Sequence, residues 1–114
     1  MTQFDEREKA FERKFELDEE RNFRIVAHAT KELGRWAAEQ MGLDEARTRS
    51  YIYEVLEADL NTPHHTRLIS KVVEDFVNND MRITPHDVGH QYDLLLAGFR
   101  KQILEGENDE AVAS

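Results

Sequence analysis

His86 and His90 stand four residues apart, a spacing at which two imidazoles on one helix face can share a metal ion. His64 and His65 are adjacent near another expected helix start. No carboxylate or cysteine arrangement completes a ligand set around either pair, and solvated histidines at helix ends account for both. The 24 acidic residues make carboxylate pairs too common to carry information. The chain has no cysteine, so disulfides, thiolate nucleophiles and cysteine-ligated metals are excluded. Ser50, Ser70 and Ser114 are the available serine nucleophiles, and no serine–histidine–acid set emerges from the spacing. The five glycines are isolated, so no phosphate-cradling loop exists. These residues point away from an enzyme, and no metal or cofactor is expected.

The distribution of aromatic residues is more informative. Met1–Arg24 holds fourteen charged side chains, six positive and eight negative, together with four of the six phenylalanines. On a helix, Phe4, Phe11 and Phe15 fall within about 40° of one another. Such a thin stripe cannot build a core, but it can lie in a groove of another protein. Periodicity alone equally allows the stripe to dock on this chain's own bundle.

The elements that must carry these residues are helices. Thr84-Pro85-His86-Asp87 reads as a capping box with proline in the first turn, and Thr62-Pro63 repeats the start without the acid. Gly42 reads as a left-handed stop, Asp44 as the next cap, and Gly106 as the end of the last helix. Helices are expected over about 3–41, 45–59, 63–78 and 85–105. Val26, Ala29, Leu33, Ala37 and Met41 form one core line; Leu68, Val72 and Phe76 form another; Val88, Tyr92, Leu95 and Phe99 form a third. Tyr51, Ile52, Tyr53, Val55 and Leu56 are less periodic, and helix is preferred because no partner strand exists. Gly34 and Gly98, inside helical patterns, are expected to allow close helix approach. Trp36 is expected to be a core anchor.

The fold class is therefore all-α: a small four-helix bundle over 21–105, with a long first helix whose N-terminal half, about 1–20, is a mobile arm. Pairs such as Asp5–Lys9, Lys14–Asp18 and Glu20–Arg24 would each support that arm by about 0.2–0.5 kcal/mol, against like-charge pairs such as Glu8–Glu12. A disordered acidic tail is expected over 106–114. At 114 residues and net charge −9, the chain has room for one domain and poor affinity for nucleic acid or anionic lipid. It has neither a signal-like start nor a membrane-spanning apolar run, which reads as cytoplasmic.

The run Met1-Thr2-Gln3-Phe4-Asp5-Glu6-Arg7-Glu8-Lys9-Ala10-Phe11-Glu12, with Lys14-Phe15, Asp18-Glu19-Glu20 and Phe23, resembles the start of the zeta-subunit inhibitors of ATP synthase from alphaproteobacteria. Leu33-Gly34, Trp36-Ala37-Ala38 and Gly42 extend the resemblance. It is strongest over 1–43 and continues loosely to about 105. The chain has His28-Ala29-Thr30 where many members carry an Arg-Arg-Asn-like stretch, and Pro63-His64-His65-Thr66 where Pro-Gly-Asp is frequent. The resemblance implies a four-helix fold and a partner, the F1 sector of ATP synthase, which would place the protein at the periphery of the inner membrane. The N-terminal segment would enter a catalytic α/β interface beside the central rotor shaft and block hydrolytic rotation. Phe4, Arg7, Glu8, Phe11, Lys14 and Phe15 would form the contact surface. The alternative reading, motivated by the histidines, is a regulatory or ligand-binding bundle that senses a nucleotide or a metal.

Overall fold

The computed structural model describes the backbone of residues 2–60 and 66–113, and the side chains of 18–59 and 67–106. Four helices follow in order: α1 Thr2–Gln40, α2 Glu45–Leu60, α3 Thr66–Asn78 and α4 Pro85–Ala113. The all-α bundle expected from the periodicity is the observed fold. α1 packs on α2 and α4, α3 packs on the same two helices from the other side, and α1 meets α3 across the diagonal. The short α1–α2 and α3–α4 connections make neighbours antiparallel.

Local sequence sets the helix ends. Gly42 has φ +73°, and the backbone N–H groups of Gly42 and Leu43 return to the carbonyls of Glu39 (3.1 Å) and Ala38 (3.0 Å). This paired closure satisfies carbonyls that α1 would otherwise leave bare. Asp44 then caps α2, accepting from the Arg47 amide at 2.8 Å. α4 opens on the expected reciprocal box: the Asp87 amide donates to Thr84 Oγ1 (3.2 Å) and the Thr84 amide to Asp87 Oδ2 (3.1 Å). The bonds to Thr84, first from its backbone and then from its side chain, hold the Asp87 carboxyl below its ordinary pKa.

Three readings need correction. α4 does not stop at Gly106 but continues to Ala113. Gly106 lacks the positive φ that a left-handed stop requires, and no proline follows to break the ladder. The side chains of 107–114, on which the expected tail falls, lie outside the described residues, as does the Thr62-Pro63 start. Secondly, the core line of α1 runs through Ile25, Ala29, Leu33 and Ala37; Ile25 is buried and Val26 only half-buried. Thirdly, a Cβ on Gly98 would meet nothing within 4 Å, so that glycine permits no close approach. Gly34 does: a Cβ there would lie 3.2 Å from Ile52 Cα and 3.5 Å from Val55 Cβ of α2.

The core joins Ala29, Leu33, Ala37 and Ala38 of α1 to Tyr51 and Val55 of α2, Leu68, Val72 and Phe76 of α3, and Val88 and Tyr92 of α4. Trp36 packs against this core, edge-on to Phe76 (centroids 5.6 Å, 86°). On α2, Tyr51, Ile52 and Val55 face inward while Tyr53 is exposed, which resolves the near-continuous apolar patch as a helix. Burial fades along α4: Val88 and Tyr92 are enclosed, Leu95 and Phe99 are half-buried, and Leu104 is exposed.

Candidate functional site

The residues expected to bind a partner all fall on α1. Phe4, Arg7, Glu8, Phe11, Lys14 and Phe15 occupy its first turns, and their side chains lie outside the described residues. What the fold fixes is the rod that carries them. α1 has 39 residues against 16 in α2 and 13 in α3, which at about 1.5 Å per residue makes it roughly 58 Å long. Its contact with α2 is set by Gly34 against Ile52 and by Thr30 beside Asp59. Asp59 is one residue from the end of α2, so the part of α1 that precedes about residue 28 extends past that helix. Among the described residues, the enclosed core of α1 begins at Ile25. Before it come Asp18 and Arg21, paired at 3.0 Å on the surface, and Phe23, which is 68% exposed.

His28 and Thr30 hold the rod in place. Thr30 is fully buried, its hydroxyl 3.1 Å from Tyr92 Oη of α4 and 3.4 Å, as donor, from Asp59 Oδ2 of α2. Three helices thus meet at one hydroxyl. Burial raises the Tyr92 phenol pKa, and the Thr30 hydrogen bond opposes that shift. Two residues earlier, the His28 ring stacks on Phe99 at 5.4 Å and 28°.

The remaining polar clusters are structural. Asp75 Oδ2 accepts from Tyr51 Oη (2.8 Å) and Lys71 Nζ (3.2 Å), and Lys71 also faces Glu54 Oε2 (3.5 Å) and the Tyr51 ring (5.5 Å). Burial, with the bond to Asp75 second, pushes the Tyr51 phenol well above its ordinary pKa. This cluster clamps α2 to α3. Beside it lies an open groove of about 430 Å³ whose lining includes Glu57, Arg67, Ser70 and Glu74. A second, of about 520 Å³, lies between α1 and α2, where Arg35 pairs with Glu32 (3.5 Å) and Arg49 with Glu45 (3.7 Å). His86 and His90 are exposed and nearly parallel, with centroids 6.5 Å apart. Among the described residues, no group of three His, Asp or Glu side chains could hold a metal. His64 and His65 lie outside the described residues.

The sequence pattern of the family described as ATPase inhibitor subunit zeta matches residues 1–102. The chain belongs to the ATPase inhibitor subunit zeta family. No curated protein and no solved structure matches it. The family match runs from the first residue through α2 and α3 into α4, so it takes in the whole of α1 as well as the bundle. By its description the family is one of inhibitor subunits. Among the described residues no helix is long and apolar enough to cross a membrane.

Two features of this zeta-family chain escape sequence reasoning. Thr30 gives no signal as a buried junction, because threonine on a helix is ordinarily solvated. The exposure of Phe23 follows from where α2 ends, which the local pattern around Phe23 does not encode.

Proposed function

We propose that the chain inhibits ATP hydrolysis by the F1 sector of ATP synthase, with residues 1–20 as the inhibitory arm and 21–105 as the bundle that carries it. The arm enters a catalytic α/β interface beside the rotor shaft and obstructs rotation in the hydrolytic direction. Phe4, Phe11 and Phe15 are the buried anchors, while Arg7, Glu8 and Lys14 fix register through charge. The observation that carries this reading is the reach of α1 beyond α2, in a chain whose family match begins at Met1. Helical register supports it: position 15 precedes position 33 by eighteen residues, about five turns, so the Phe seam continues the azimuth of the core line.

The test measures hydrolysis by purified F1-ATPase with the full chain, with a chain lacking residues 2–20, and with a peptide of residues 1–20. The shortened chain is expected to unfold cooperatively on heating yet fail to inhibit, and the peptide to inhibit at higher concentration. Phe11→Ala and Phe15→Ala should each raise the half-inhibitory concentration about fivefold or more, as loss of a buried aromatic anchor does. Equal inhibition by the shortened and full chains would sink the wedge.

A further inference from the structure

Phe23 is the described aromatic residue nearest the proposed arm, and 68% of its surface is open to solvent. Its place on α1 explains why. From Phe23, steps of four, three and four residues lead to Ala27, Thr30 and Gly34, one stripe of the helix. That stripe faces α2: Gly34 abuts Ile52, and Thr30 donates to Asp59. Phe23 lies about 10 Å further along α1 than Thr30, whereas α2 ends one residue after Asp59. The ring therefore continues a packing face after the helix that covers that face has finished. Ile25, two residues on, turns inward and is enclosed by the bundle.

The other exposed large apolar side chains lie on other helices: Tyr53 on α2, Val77 on α3, and Leu94 and Leu104 on α4, as scattered surface residues commonly do. Phe23 sits on the same unbroken helix as the arm, about 12 Å along the axis from Phe15 and turned about 80° from it. An arm held in a groove brings Phe23 to the rim of that groove, facing sideways from the Phe4–Phe11–Phe15 seam. The ring carries no charge, and its face is flat and apolar, so it needs an apolar depression for its contact.

We infer that Phe23 is a further F1-binding residue, packing into an apolar depression at the mouth of the catalytic interface and extending the contact beyond residues 1–20. This inference rests on the proposed arm and deepens it. A contact at the rim fixes how far the arm can enter, because the bundle begins within one turn of Phe23.

The experiment uses the full chain carrying Phe23→Ala, Phe11→Ala or Tyr53→Ala, each titrated against purified F1-ATPase, with thermal unfolding measured alongside. Alanine is the best helix former, and Phe23 is outside the enclosed core, so Phe23→Ala keeps the fold. It is expected to raise the half-inhibitory concentration about fivefold to tenfold, the effect of truncating an aromatic anchor. Tyr53→Ala, an equally exposed aromatic on α2, is expected to leave inhibition unchanged. Weakening by Phe11→Ala but not by Phe23→Ala would overturn the rim contact while leaving the arm intact. Equal weakening by Phe23→Ala and Tyr53→Ala would also overturn it. A second readout is independent of the arm: benzoylphenylalanine placed at position 23 of the full chain should crosslink to F1 on illumination. No crosslink at inhibitory concentration would count against the contact.

Discussion

Gly34 and Gly98 offer the same chemical change in opposite surroundings. Replacing either by alanine adds one methyl group and removes the helix-interior penalty of glycine, a gain of about 0.8–1 kcal/mol. At Gly98 the new Cβ meets nothing within 4 Å, so the gain stands alone and Tm should rise by about 4 °C. At Gly34 the Cβ would sit 3.2 Å from the Cα of Ile52, closer than the ~3.5–4.0 Å at which two carbons rest. The obstacle is backbone, and Val55 Cβ at 3.5 Å closes the other side, so α1 and α2 must separate. Overpacking of this kind costs about 1–3 kcal/mol. The propensity gain is common to both variants and cancels between them, so their stabilities should differ by about 1–3 kcal/mol, with Gly34→Ala the weaker. Urea unfolding followed by circular dichroism measures both midpoints, with an unchanged m-value as the check that unfolding remains two-state. If Gly34→Ala matches or exceeds Gly98→Ala, the close approach of α1 to α2 is not a tight contact and the reasoning fails.

Thr30→Val preserves shape but withdraws the hydroxyl that meets Asp59 and Tyr92, and should lower stability by about 1–3 kcal/mol in chemical unfolding. Combined with Tyr92→Phe, it should cost less than the sum of the two single changes, since both act on one hydrogen bond. Asp80 holds a positive φ of 58° at the end of α3, so Asp80→Gly should raise the free energy of unfolding, measured in urea, by about 0.5–1 kcal/mol. At the start of α4, the Asp87 carboxyl has a folded-state pKa below its unfolded one, so its contribution is present above the unfolded value and is lost as pH falls through the folded one. The stability gap between the parent chain and Asp87→Ala should therefore narrow below the ordinary aspartate value of about 3.9, as unfolding at stepped acid pH will show.

Much of the bundle can be read from the chain because its signals are local. Thr84, Pro85 and Asp87 mark a helix start within four residues, and Gly42 with Leu43 marks a stop, so both are found where expected. The signals that mislead are those whose meaning depends on distant partners. Gly34 and Gly98 look alike in sequence, and only the passage of α2 over one of them separates their roles. Ile25 and Val26 are adjacent aliphatics, and the path of the neighbouring helices decides which one is enclosed. Gly106 invites a helix stop, yet a stop needs a following residue whose amide folds back, and none competes with helix continuation there. The end of α3 is the converse case: Asp80 takes the left-handed position, and the Met81 amide closes on the Phe76 carbonyl at 2.9 Å with no glycine to announce it. For the candidate site, composition isolates the Phe seam, but the partner enters through family membership, because a groove on another protein leaves no direct trace in this chain.

A helix anchored in a core at one end has an inbuilt seed. Forming the first turn of an isolated helix is disfavoured by a factor of about 10³, because several residues must be ordered for one hydrogen bond. In this chain Ile25, Ala29, Leu33 and Ala37 hold the later turns of α1 against the bundle, so those turns are already formed. Growth toward the N-terminus then requires only propagation, in which each added residue gains its own hydrogen bond. A free peptide of residues 1–20 has to nucleate its own first turn, whereas the same residues in the full chain extend a helix whose later turns are already held.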